Sequence, residues 1–162
     1  MDLLTRVVAA FEAFSGQVYK DGAGHPTIGY GHKLRPDEAF PHGIMREQAL
    51  LLLDDDVRDA RRSTEVVMRG ALLQDYEKDA LTCFVYNLGQ NALAGSTLRQ
   101  KVLAGQRLAA AAEFLKWNKA RDPLTGELTV RAGLTRRRHC ESVWFLGAAE
   151  ATVVWLAQAA ER

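Results

Sequence analysis

The chain has 162 residues, of which 48% are hydrophobic and 25% charged, an ordinary globular composition with enough length for one domain and a true core. A formal net charge of +1 argues against long-range capture of nucleic acid or another polyanion, so a partner would be held by contacts in a groove. No run approaches ~18 uninterrupted apolar residues, and no basic stretch precedes an apolar one, so neither a signal peptide nor a membrane span is expected.

Leu3, Leu4, Val7, Val8, Phe11 and Phe14 recur at helical spacing and predict an amphipathic helix over residues 2 to 14, with Asp2 able to cap its start. Glu12 lies beside that apolar face near the helix C-terminus. Partial burial and the negative end of the helix dipole both favour its protonated form. Residues 15 to 43 are rich in glycine and carry short β-type runs at Gln17-Val18-Tyr19 and Thr27-Ile28-Gly29-Tyr30, which reads as a small antiparallel sheet. Asp21 sits in the polar turn between these runs, Lys20-Asp21-Gly22-Ala23-Gly24, where it should stay ionised. A helix is expected over about 45 to 67, with Ala49, Leu50, Leu53, Val57 and Ala60 on one side and Asp54-Asp55-Asp56 within it. Further helices are expected over about 74–88, 97–104, 108–119, 135–146 and 149–160. Arg121 to Thr129 reads as an extended turn or small hairpin. Helices that outnumber clustered strands define an α+β fold: a single domain over 1–162, with a sheet lobe (about 15–43), a linking helix (about 45–67), a helical lobe (about 68–162) and a cleft between the lobes.

Glu12, Asp21 and Thr27 carry the chemistry. One carboxyl group in a partly apolar setting and one in a polar turn form an acid/base pair with separated proton affinities. With a hydroxyl beside them, they are the parts needed to cleave a glycosidic bond: a proton for the leaving oxygen and a handler for water on the opposite face. Taken singly, each has an ordinary reading as a surface, turn or strand residue; the joint spacing is the signal. Cys83 reads as a buried free thiol, with a Cys83–Cys140 disulfide as the alternative. The histidines lack metal-ligand spacing, so no metal and no cofactor is expected. Arg136-Arg137-Arg138 is too short and too poor in aromatic neighbours for a nucleic-acid site.

The stretch Phe11-Glu12-Ala13-Phe14, Tyr19-Lys20-Asp21 and Pro26-Thr27-Ile28-Gly29-Tyr30-Gly31-His32 resembles the phage lysozymes of glycoside hydrolase family 24, which include the T-even phage lysozymes and the lambdoid endolysins. Phe84-Val85-Tyr86-Asn87-Leu88-Gly89 with Gly95-Ser96-Thr97-Leu98, and Gly133-Leu134-Thr135-Arg136-Arg137-Arg138 with Glu141, continue the resemblance in family order. It implies a mainly helical, bilobal lysozyme-like fold. It also implies a muramidase acting on the β-1,4 bond between N-acetylmuramic acid and N-acetylglucosamine in bacterial peptidoglycan. Glu12 would be the general acid, Asp21 would place or activate water, and Thr27 would hold that water or the sugar. The T-even members invert configuration, which implies carboxyl groups roughly 6.5–9.5 Å apart. The resemblance also implies substrate contacts at Tyr86 and Thr97, a His32–Asp56 pair, and either Arg137 or Arg138 reaching Glu12. For the three aspartates, a solvated face remains the competing reading. Family members often have glycine after the acid; Ala13 here implies a slightly longer first helix. A non-catalytic peptidoglycan-binding module and a lytic transglycosylase are the alternatives. A monomer is expected, made in the host cytoplasm and acting on the wall in the periplasm, with a holin or secretion machinery for export.

Overall fold

The structure is a computed structural model that describes residues 1–22, 24–122 and 124–159. The chain opens with helix α1 (Leu3–Phe11), followed by strands β1 (Ser15–Lys20), β2 (Pro26–Gly29) and β3 (His32–Lys33) and the long helix α2 (Arg46–Val67). Helices α3 (Asp75–Leu88), α4 (Gln90–Ala94), α5 (Thr97–Leu103) and α6 (Arg107–Phe114) come next. A two-stranded ribbon, β4 (Lys119–Arg121) and β5 (Leu128–Val130), precedes α7 (Ala132–Phe145) and α8 (Glu150–Gln158).

The three-stranded sheet is antiparallel in the order β1-β2-β3, with Thr27 opposite both Tyr19 and Lys33. It lies on α2, and Gly29 makes that approach feasible. Its φ is +66°, and a Cβ there would stand 3.1 Å from that of Ala49. The core lies among the helices. Leu4, Val7 and Val8 of α1, Leu53 and Val57 of α2, Leu81 and Phe84 of α3, Phe114 of α6 and Trp144 and Phe145 of α7 are all buried in one cluster. Phe84 anchors it, with its ring edge-on to Phe114 at 5.7 Å and to Trp117 at 5.4 Å between centroids.

Four expectations need correction. The first helix stops at Phe11 instead of lengthening: Glu12 is already extended at φ −103°, ψ 135°. Phe14 keeps helical spacing, but its ring serves the sheet, 5.5 Å from Tyr30 and 4.5 Å beneath the Arg46 guanidinium. The helix expected to reach Lys119 ends at Phe114, because Trp117 turns back onto Phe84 and Lys119 enters β4. Helix α7 starts at Ala132, three residues before the expected Thr135, and carries Gly133 in its first turn. Helix α4 was not foreseen. The Arg121–Thr129 stretch is a hairpin continuous with Lys119 and Val130. Ala23, Pro123 and the expected last helical residue, Ala160, lie outside the described residues.

Candidate active site

Glu12 sits where α1 gives way to β1, with its side chain 24% exposed. Nη1 of Arg137 donates to its Oε1 at 2.5 Å. Of the two arginines the sequence offered, Arg137 therefore reaches Glu12, while Arg138 turns to α3 and donates from Nη2 to Oδ1 of Asn87 at 3.0 Å. Arg137 is itself buried, and each of its nitrogens has a partner on a different element. Nε points to Glu141 Oε1 of α7 at 3.4 Å, Nη2 to the Cys83 carbonyl of α3 at 3.3 Å, and Nη1 to Glu12. Burial opposes the charge of Arg137, but the acidic groups around it outweigh that and hold it protonated. Its guanidinium also lies 5.3 Å from the centroid of the Phe11 ring.

Asp21 closes the turn between β1 and β2. Its N–H donates to the His25 carbonyl at 2.9 Å, and its Oδ1 accepts from the His25 N–H at 2.8 Å. These bonds fix the carboxylate, and Lys33 Nζ lies 3.3 Å from Oδ2. Thr27 is buried in β2 and donates its hydroxyl proton to the His25 carbonyl at 3.0 Å, which leaves its oxygen lone pairs as acceptors. Tyr19, of the Tyr19-Lys20-Asp21 motif, is the common neighbour. It pairs with Thr27 across the sheet, and burial together with the charges of Glu12 and Asp21 pushes its phenol above the usual range.

His32 is buried beside this group. Its Nδ1 contacts Oδ1 and Oδ2 of Asp56 at 3.0 and 2.9 Å, and its Nε2 contacts Glu38 Oε2 at 2.9 Å. Burial disfavours the imidazolium, but the bonds and charges of Glu38 and Asp56 prevail and raise the His32 pKa above 6.5. Asp56 is pushed up by burial despite His32, whereas Glu38 is held down first by the Arg35 N–H and then by His32. Asp56 is thus paired and does not belong to a solvated face. The sequence carried no signal for Glu38, a loop residue brought in by the chain's return.

A cavity of about 780 Å³ adjoins Glu12 and is lined by Phe11, Phe14, Tyr30, Arg46, Asn87, Leu134 and Arg137 among others; neither Asp21 nor Thr27 borders it. A groove of about 420 Å³ runs past Gly31, His32, Asp56, Val85, Tyr86 and Gly89. Tyr86 lines this groove, but its hydroxyl already donates to the Tyr30 carbonyl at 2.9 Å, and burial pushes that phenol well above its usual range. Thr97 is the exposed first residue of α5 and lines neither space. Cys83 and Cys140 are free and buried. Among the described residues no group of three or more His, Cys, Asp or Glu could hold a metal ion, and no helix is long and apolar enough to cross a membrane.

Comparison with known proteins finds relatives and structural neighbours over most of the chain. The endolysin of Acyrthosiphon pisum secondary endosymbiont phage 1 is 32% identical over 139 residues, covering 86% of this chain and 92% of that protein. The endolysin of Bacillus phage B103 is 36% identical over 145 residues, covering 86% of this chain but 51% of its own length. The muramidase domain of SpmX from Asticaccaulis excentricus has the same fold, with a TM-score of 0.80 at 26% identity over 91% of this chain and 97% of that one. The phage lysozyme family model matches residues 9–141, a span that contains Glu12, Asp21, Thr27, Arg137 and Glu141 and shows that the chain belongs to the phage lysozyme family.

Proposed function

We propose that the chain is a peptidoglycan hydrolase, an N-acetylmuramidase that cleaves the β-1,4 bond between N-acetylmuramic acid and N-acetylglucosamine. The observation that carries this reading is the convergence on Tyr19: Thr27 faces it across the sheet, and Glu12 and Asp21 both act on its hydroxyl. Glu12 gives its proton to the glycosidic oxygen as the bond to the anomeric carbon breaks. Asp21 takes a proton from a water whose oxygen forms the new bond on the opposite face. The Thr27 oxygen accepts that water's second proton in a hydrogen bond, since its own proton is committed to His25. Arg137 receives the carboxylate that Glu12 becomes. The glycan passes Glu12 in the cleft between the sheet lobe and the helical lobe, which α2 bridges, and the groove lined by Tyr86 extends its path beyond the Glu12 cavity. The protein acts on the wall from the periplasm after synthesis in the host cytoplasm, and a holin or secretion machinery supplies the passage.

The test is turbidity loss of outer-membrane-permeabilised Gram-negative cells, with wild type beside Glu12→Gln and the released sugars read by mass spectrometry. Wild-type lysis with reducing muramic ends, and a loss of about 10²-fold or more in the variant, is expected. Anhydro-sugars would replace hydrolysis by transglycosylation. A folded wild type that does not lyse would leave a binding module.

A further inference from the structure

Behind Arg137 lies a buried charge cluster that the proposed reaction does not use. Glu141 is fully buried, one turn along α7 from both arginines. Its Oε1 accepts from Arg138 Nη2 at 2.8 Å and from Arg137 Nε at 3.4 Å. Arg138 is also fully buried, with its guanidinium 4.9 Å from the centroid of the Phe84 ring. Glu141 Oε2 and Arg138 Nε and Nη1 have no hydrogen-bond partner. Leaving three polar atoms unsatisfied in a core is costly, and a pair kept at that cost calls for a reason beyond stability.

We propose that Glu141 and Arg138 form a positioning pair for the proton donor, with Glu141 aiming and partly neutralising Arg137 and Arg138 limiting how much of Arg137 it claims. Four charges are involved. Arg137 and Arg138 balance Glu12 and Glu141, and the cluster is neutral only with Glu12 ionised. Without Glu141, Arg137 would act on Glu12 with its full charge and hold it as the carboxylate. Without Arg138, Glu141 would draw Arg137 to itself and loosen its hold on Glu12. The ionisable groups around Glu12 are Arg137 and Arg138 from α7, Tyr86 from α3 and Tyr19 from β1, and Arg46, Arg131 and Arg136 line the same cavity. Glu141 and the neutral, buried Cys83 thiol act on Glu12 through Arg137.

This inference rests on Glu12 as the acid, and its test uses two readouts so that the failure of each idea is distinct. One readout is the alkaline limb of the lysis rate, where activity falls as the donor loses its proton. The other is direct titration of the Glu12 carboxyl carbon by NMR in the folded protein, which needs no turnover. Glu141→Gln is expected to move both toward acid, and Arg138→Met toward alkali, by roughly one pH unit each. The double variant removes the pair together; it is expected to return the midpoint to within a few tenths of a unit and to recover much of the stability lost in Glu141→Gln. A purely structural pair would lower stability and rate with no displacement of opposite sign. Unmoved titrations, or displacements in the same direction, in folded variants overturn the proposal. If Glu141→Gln does not fold, Arg138→Met and the double variant decide it alone. If the carbon titration moves as expected but no wall is cleaved, the positioning stands and the muramidase reading falls.

Discussion

Replacing His32 with asparagine should destabilise the protein strongly near pH 5.5 and little at pH 9. His32 is 4% exposed and lies between carboxylates that are 22% and 20% exposed, Asp56 and Glu38, at 2.9 Å each. Because its folded pKa is raised above 6.5, its contribution is complete below the unfolded value and is lost as pH rises through the folded one. Glu38 is held below 4.5, so its share is present above that value and is lost as pH falls. Asp56 is raised above 3.8 by burial, so its own ionisation costs some stability as pH rises through that range, and its carboxylate is available to His32 above it. The window thus runs upward from about pH 4.5 to beyond 6.5. Two hydrogen bonds to charged groups contribute about 1.5–3 kcal/mol each, and recovery of the ring's desolvation cost offsets part of this. A net loss of about 2–3 kcal/mol at pH 5.5 is expected, or roughly 4–12 °C in Tm for a domain of this size. Below about 1 kcal/mol should remain at pH 9, where only a neutral bond is lost. Urea unfolding of wild type and variant at both pH values measures this, with Asp56→Asn completing a double-mutant cycle at pH 5.5. Equal destabilisation at the two pH values would refute the reasoning.

Other perturbations test the frame around the site. Phe84→Ala empties the centre of the helical core and should cost about 3–5 kcal/mol, read by thermal or urea unfolding. Gly43→Ala forces a Cβ to within 2.2 Å of the Gly16 carbonyl oxygen at a φ of +72°; the variant should lose more than about 1 kcal/mol and show displaced amide signals in β1. Tyr86→Phe removes the bond to the Tyr30 carbonyl and should cost about 0.5–1.5 kcal/mol, with a larger change in KM than in kcat for wall fragments. An unchanged KM would place the glycan elsewhere.

The helices were legible where the periodicity was long. Helix α2 and helix α3 were expected within a residue of their observed ends, because their apolar faces repeat over several turns and meet one core. Helix α4, five residues long, is too short to show a period. The end of α1 was misread because Phe14 continues the helical spacing although its ring belongs to the sheet. Asp21 and Thr27 could be read together because β1 and β2 bring sequence neighbours together in space, both bonded to His25. Choosing Arg137 over Arg138 was beyond the sequence: both side chains are buried, and only the distant α1 terminus distinguishes them. Glu141 carried a usable signal, an acid three and four residues after two arginines, which places all three on adjoining faces of one helix.

Tyr30 is held three ways: its carbonyl by Tyr86, its hydroxyl by Arg46 at 3.3 Å, and its ring by Phe14. Two of these partners precede α3 and move with the sheet and the start of α2, whereas Tyr86 belongs to the opposite wall of the groove. Across the groove, the Tyr86 bond to the Tyr30 carbonyl ties the sheet to α3 and contributes about 0.5–1.5 kcal/mol. A strand in a cross-linked wall offers few free ends to thread. A groove between these walls lets the polymer enter sideways, along its length, and lets both fragments leave the same way.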